Sequence, residues 1–178
     1  ASPEGPARIQ RWHGEAERYL EASGLAFTVL RPNFFMQNFL GLAPAIAAGV
    51  LPLPTGDARG ALIDARDIAD VAAVVLTSPG HEGRRYTLTG PEALTHGAAA
   101  ATLARELGAA VQFVDVSPEA FRDGVAQGGA PGWFADLLTD VYVTVFAAGR
   151  AARVTDDVAR VTGRAPRVGR CASPSAST

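Results

Sequence analysis

The sequence predicts an α/β fold, and three observations carry that prediction. Helical and extended patterns alternate along the whole of the 178 residues. The stretch LAFTVL at 25–30 is short, β-rich and apolar nearly throughout, the pattern of a strand buried in a parallel sheet. The stretch DARDIADVAAVVLTS at 64–78 repeats apolar residues at helical spacing behind a capping aspartate.

After a loop at ASPEGPA, residues 9–23 predict a helix. Trp12, Ala16, Tyr19, Leu20 and Ser23 recur on one face, and Gly24 stops it. FFMQNFLGLAPAIAAG at 34–49 predicts a second helix, interrupted near Pro44 and ended at Gly49. VLPLPTGDARGALI predicts a loop or a short extended pair. In the helix at 64–78, Asp64 is the cap, Asp67 completes a variant capping box, and Ile68, Val71, Ala72, Val75 and Leu76 form the buried stripe.

RRYTLTG at 84–90 alternates as a strand does. Residues 95–108 predict a helix with Thr95 as cap and Gly108 as stop. An alternating strand follows at 111–117. Ser117 then caps a helix with Pro118 at its first position. PGWFADLLTDVYVTVFAAG at 131–149 predicts a longer helix with Phe134, Leu137, Leu138, Val141 and Val145 on one side, and VTDDVARVTGRAP holds a last short one. No repeat or linker divides the chain, which predicts one domain over 1–170 and a disordered Ser/Pro/Ala tail at 171–178.

Composition narrows the classes. Hydrophobic residues are 48% and charged residues 19%, the balance of a globular chain with a real core. The net charge of −2 argues against broad attraction to nucleic acid or an anionic membrane. The lone cysteine, Cys171, cannot form an internal disulfide. With no signal peptide and no long apolar run, the expected location is the cytoplasm. All sixteen basic residues are Arg.

The usual chemical signatures are missing. There is no G-x-G-x-x-G after a strand, no P-loop and no G-x-S-x-G elbow. GDARG at 56–60 reads as a surface turn rather than a phosphate site. His13, His81 and His96 are too far apart for paired metal ligands, so no metal is expected. Asp64, Asp67 and Asp70 share one helix, where capping and solvent exposure are their expected roles.

Three phrases add a resemblance: WHGEAERYLEASGLAFTVLRPNFFMQNF, IDARDIADVAAVVLTSPGHEGRRYTLTGPEALT and VTGRAP. In order and spacing, from about residue 9 to 167, they resemble the NmrA-like branch of the atypical short-chain dehydrogenase/reductases, which includes NAD(P)H:quinone oxidoreductases. The resemblance implies the C-terminal part of an NAD(P)-binding Rossmann-like domain with a small α/β substrate-binding lobe, lacking the N-terminal Rossmann half and its Gly-rich turn. It implies NADP or NAD as cofactor, and a small apolar or quinone-like substrate. A second copy or a partner chain is expected to cover the exposed sheet.

In short-chain reductases a helix carries Tyr-x-x-x-Lys as the proton-handling pair. Many members place Glu four residues after that Lys, as Glu17 follows His13 here. His13 then occupies the Lys position and Ile9 the Tyr position. Ile9 cannot exchange a proton, so that mechanism is excluded and the catalytic residues are left unassigned. His13 either hydrogen-bonds a ribose or substrate oxygen, or pairs with Glu17 one turn on. Arg31, Pro32 and Asn33 close the strand where the resemblance places the nicotinamide; they equally make a strand-to-helix corner. Phe34, Phe35, Met36 and Asn38, with Trp133 and Phe134 opposite, match the substrate pocket, while core packing also accounts for the apolar cluster in NFFMQNF.

The implied function is an NAD(P)H-dependent reductase of which this chain supplies the substrate side. A non-catalytic NAD(P)-sensing regulator and an inactive truncated fragment are the alternatives.

Overall fold

The computed structural model describes residues 3–168. The tail at 171–178, with Cys171, lies outside the described residues. Helix α1 (Arg8–Ala22) leads into strand β1 (Thr28–Pro32). A 3-10 segment (Met36–Leu42), helix α2 (Ala43–Ala47) and strands β2 (Val50–Leu53) and β3 (Arg59–Gly60) follow. Then come α3 (Ala65–Thr77), β4 (Arg84–Leu88), β5 (Leu94–Thr95), α4 (His96–Leu107) and β6 (Gln112–Asp115). Helices α5 (Pro118–Gln127), α6 (Gly132–Val141) and α7 (Asp157–Thr162) complete the order, with a π-helical segment (Tyr142–Ala147) after α6.

The strands form three pairs: β1 with β4 and β2 with β6 are parallel, β3 with β5 antiparallel. One core cluster gathers around Leu51, Leu53, Phe121, Tyr142 and Phe146, packing the β2–β6 pair against α5 and the π-helical segment. A second, around Ile63, Val71, Tyr86, Leu88 and Val158, joins α3 and α7 to the β1–β4 pair.

The caps follow the sequence. Asp64 accepts from the Arg66 N–H at 2.8 Å, Thr95 from Ala98 at 3.1 Å and Ser117 from Ala120 at 3.1 Å. Gly108 adopts φ +63, the left-handed conformation that ends α4.

Several expectations are corrected. Of the α1 stripe, Ala16 and Leu20 face α6 and β1 together with Ile9, His13 and Glu17, while Trp12 is 50% and Tyr19 82% exposed. Leu76 is exposed rather than part of the α3 stripe. Asp67 is buried, not solvated: it accepts from the Arg167 backbone N–H at 2.8 Å and from its guanidinium, which also holds Asp70. That pairing pins the end of the described chain to α3. The region 34–49 is a 3-10 turn before a short α-helix, and the long helix at 131–149 widens into π geometry, bringing Tyr142, Val145 and Phe146 inward. The strand at 25–30 lies later, at Thr28–Pro32, and is half-buried.

Two close approaches require glycine. A Cβ at Gly90 would stand 2.0 Å from the Leu62 carbonyl oxygen, and one at Gly60 2.2 Å from the Phe146 ring. A ring can shift; a backbone carbonyl in a packed core cannot. Gly90→Ala is therefore expected to lower unfolding free energy by about 3 kcal/mol, and Gly60→Ala by less. Denaturant midpoints check this, and an unchanged midpoint for Gly90→Ala contradicts it.

Candidate functional site

A cleft of about 670 Å³ lies between α1, β1 and α6. Helix α1 presents Ile9, His13, Glu17 and Leu20, one turn apart on one face. Every residue of β1, Thr28 to Pro32, lines it. Successive strand side chains point to opposite faces, so five in a row line one cleft only along an edge. That edge carries no strand among the described residues, since β1 pairs with β4 alone.

Glu17 and Arg31 fix the geometry. The Arg31 Nε donates to Oε1 of Glu17 at 3.0 Å and its Nη2 donates to Oε2. This bidentate pair ties α1 to the carboxyl end of β1. The Arg31 hydrogen bond holds the Glu17 carboxyl below its usual range, and the same bond pushes the Arg31 guanidinium up. Arg85, on β4, stands 3.8 Å from Glu17, donates to Glu21 and lies 5.4 Å over the Phe27 ring. Glu17 is thus the partner of Arg31 rather than of His13.

Asn33 is equally engaged. Its amide donates to the Ala151 carbonyl at 2.8 Å, and its Oδ1 accepts from the Phe34 N–H at 2.8 Å. Arg31 and Asn33 therefore shape the corner, with Pro32 exposed between them. Among the described residues, the His13 ring and the Asn38 side chain have no protein hydrogen-bond partner, and both line the cleft. Phe34, Phe35 and Phe134 line it too. Met36 does not; it packs on the core cluster around Leu51 and Phe146. Trp133 is 63% exposed and stands edge-on to Phe134, with ring centroids 5.7 Å apart.

A buried histidine backs the Phe34 wall. His96 is 2% exposed and is joined to Thr55 by a 2.9 Å hydrogen bond. Its ring packs against Phe146 at 4.7 Å, and Phe146 meets Phe34 edge-on at 4.4 Å. Burial pushes the His96 imidazole down to about 4. The histidine spacing in the sequence only excludes His96 as a paired metal ligand. The spacing of His96, Ala99, Ala100 and Leu103 at i, i+3, i+4 and i+7 was the signal that it faces inward.

Gln37 was also missed. Its amide donates to Asp64 at 3.1 Å and its Oε1 accepts from the Ala65 N–H at 2.9 Å, fastening the 3-10 segment to the start of α3. With Arg66 as the main cause, this setting holds the Asp64 carboxyl at about 2. The Thr55 and Gly56 N–H groups, at the GDARG turn, both donate to Asp115 and are not free for a phosphate.

Comparison with known proteins gives the family of the chain. The model of the NmrA-like family matches residues 13–145. The chain belongs to the NmrA-like family. It is 40% identical over 171 residues to NAD(P)H azoreductase of Xenophilus azovorans, covering 94% of this chain and 58% of the relative. It is 36% identical to quinone oxidoreductase 2 of Escherichia coli, covering 76% of this chain and 48% of the relative. The structure of an NADPH-dependent quinone oxidoreductase from Escherichia coli, complexed with NADPH, superposes with a TM-score of 0.84 at 30% identity, over 93% of this chain and 58% of that one. The chain thus spans about half of the curated relatives it matches. Among the described residues, no helix is long and apolar enough to cross a membrane, and no cluster of three His, Cys, Asp or Glu side chains is placed for a metal.

His96 makes stability pH-dependent. The unfolded chain binds its proton near 6.5, the folded chain only near 4. Between those values the unfolded state holds more protons, so stability is full above pH 6.5 and falls as pH drops toward 4, by about 3 kcal/mol. Urea titrations at pH 7, 5.5 and 4.5 measure this. His96→Gln is expected to remove most of the slope, the remainder coming from the Glu17 and Asp64 carboxyls, and an equal slope in that variant contradicts the assignment.

Proposed function

We propose that the cleft receives the nicotinamide end of NAD(P)H and a planar conjugated acceptor of quinone type, this chain forming the substrate side of an NmrA-like oxidoreductase. The observation that carries the reading is the pair of unpartnered polar side chains, His13 and Asn38, on otherwise largely apolar walls at the carboxyl end of a parallel strand. The names of the relatives, an azoreductase and a quinone oxidoreductase, and a structural neighbour complexed with NADPH point the same way.

The lining fits one end of a dinucleotide. None of the glycines with positive φ lines the cleft, so its described residues offer no glycine turn for a diphosphate. They do offer an imidazole, an amide and the apolar ring of Pro32. When bound, the reduced nicotinamide supplies a hydride, and a quinone taking it with one proton becomes the hydroquinone.

The chain's own residues orient and protonate. His13, at the position of the Lys in related reductases, hydrogen-bonds the nicotinamide ribose and holds an exchangeable proton beside the acceptor. Arg31 and Asn33 act through their partners, holding the corner on which Pro32 meets the ring. Asn38 donates its amide N–H to an acceptor carbonyl. Ile9, where a Tyr would stand, adds apolar wall and no proton, which a quinone tolerates because its reduced oxygens are readily protonated.

Nicotinamide mononucleotide tests the reading because it is the half the lining fits. In NMR titrations it is expected to shift the signals of His13 and of residues 31–38, whereas adenosine 2′,5′-bisphosphate leaves them unmoved. Shifts with the adenosine compound, or with neither, contradict the assignment.

A further inference from the structure

We infer that the cleft selects fused two-ring quinones over single-ring ones, with Phe35 and Asn38 holding the first ring and the exposed Trp133–Phe134 pair holding the second. This rests on the proposed function and names the substrate class of that site.

Phe35 is the extended residue that caps the 3-10 segment, and the Asn38 N–H in its first turn donates to the Phe35 carbonyl at 3.1 Å. Both side chains line the cleft. An aromatic surface and an amide donor lining one cleft match a flat ring that carries a carbonyl. Phe35 is 38% exposed, so its ring has room to receive one.

The second feature is on α6. Phe134 lines the cleft and is 41% exposed. Trp133 extends that surface outward, its ring 84° from the plane of Phe134. Exposing a Trp at 63% beside a Phe at 41% leaves a sizeable apolar area in water. It adjoins the cleft through Phe134. A single-ring quinone bound at Asn38 leaves it bare; a fused second ring covers it. Pro131 and Gly132 set the start of the helix, so the pair is carried on a defined first turn.

Equilibrium dialysis of the full chain against two quinones with blocked ring positions tests this. The probes are 2,3-dimethyl-1,4-naphthoquinone and tetramethyl-1,4-benzoquinone. The two-ring compound is expected to bind about tenfold more tightly, and Trp133→Ala to reduce that ratio to about twofold. Asn38→Leu is expected to weaken both compounds by similar factors. Trp133 is exposed, so its removal leaves the fold intact, checked by the far-ultraviolet circular dichroism. A ratio unchanged by Trp133→Ala, or tighter binding of the single-ring compound, overturns the inference while leaving the cofactor end untouched. If neither quinone binds yet nicotinamide mononucleotide still shifts His13, the inference falls and the cofactor reading stands. If neither quinone nor mononucleotide binds, both fall.

Discussion

The site depends on one ion pair. Glu17 on α1 and Arg31 on β1 are 14 residues apart and meet in a two-point contact that is mostly sheltered, with side-chain exposures of 12% and 32%. A planar guanidinium facing a carboxylate fixes angle as well as distance. It therefore sets which face of α1 turns to the strand. That choice sends His13, one turn before Glu17, into the cleft and leaves Trp12 and Tyr19 outside. At the other end of α1, the Arg8 N–H donates to the Asp140 carboxylate of α6 at 2.8 Å. Ala7 has no side chain to cap the helix, so α6 supplies that group and closes the third wall of the cleft.

The two edges of the β1–β4 pair are treated differently. On the β4 side, the Thr87 N–H donates to Asp157 at 2.7 Å, the Thr155 hydroxyl donates to the Thr87 carbonyl, and Thr89 accepts from the Thr155 N–H at 3.0 Å. Side chains near α7 thus satisfy and block that edge. Among the described residues the β1 side has no such plugs, and it opens into the cleft. This asymmetry is the physical reason the candidate site is at β1: polar backbone and unpartnered side chains are left where a ligand or another segment can meet them.

Much of the fold was legible in the sequence because its signals are local. Asp64, Thr95, Ser117 and Gly108 act within a turn of where they sit, and each behaves as its residue type requires. What was illegible depends on distant partners. Asp67 looked like a first-turn surface carboxylate; its partner Arg167 is 100 residues away. Gln37 and His96 have no local pattern that names Asp64 or Thr55 as partners. The π-helical turn at Tyr142 answers to the packing of Tyr142 and Phe146 against Phe34, which periodicity at 3.6 residues does not contain. In the site, the clustering of 31–38 was readable from one stretch of chain. That Arg31 and Asn33 are tied to Glu17 and Ala151, leaving His13 and Asn38 free, needed the structure.

The central claim is that Glu17 positions the nicotinamide end of the cleft without touching a ligand. The most direct measurement is the dissociation constant of nicotinamide mononucleotide for Glu17→Gln, taken from His13 NMR shifts alongside Arg31→Met and the double variant. The account predicts that each single change weakens binding about tenfold and that the double variant is no weaker than either, because both remove one clamp. Unchanged affinity in Glu17→Gln, or losses that simply add in the double variant, would contradict it.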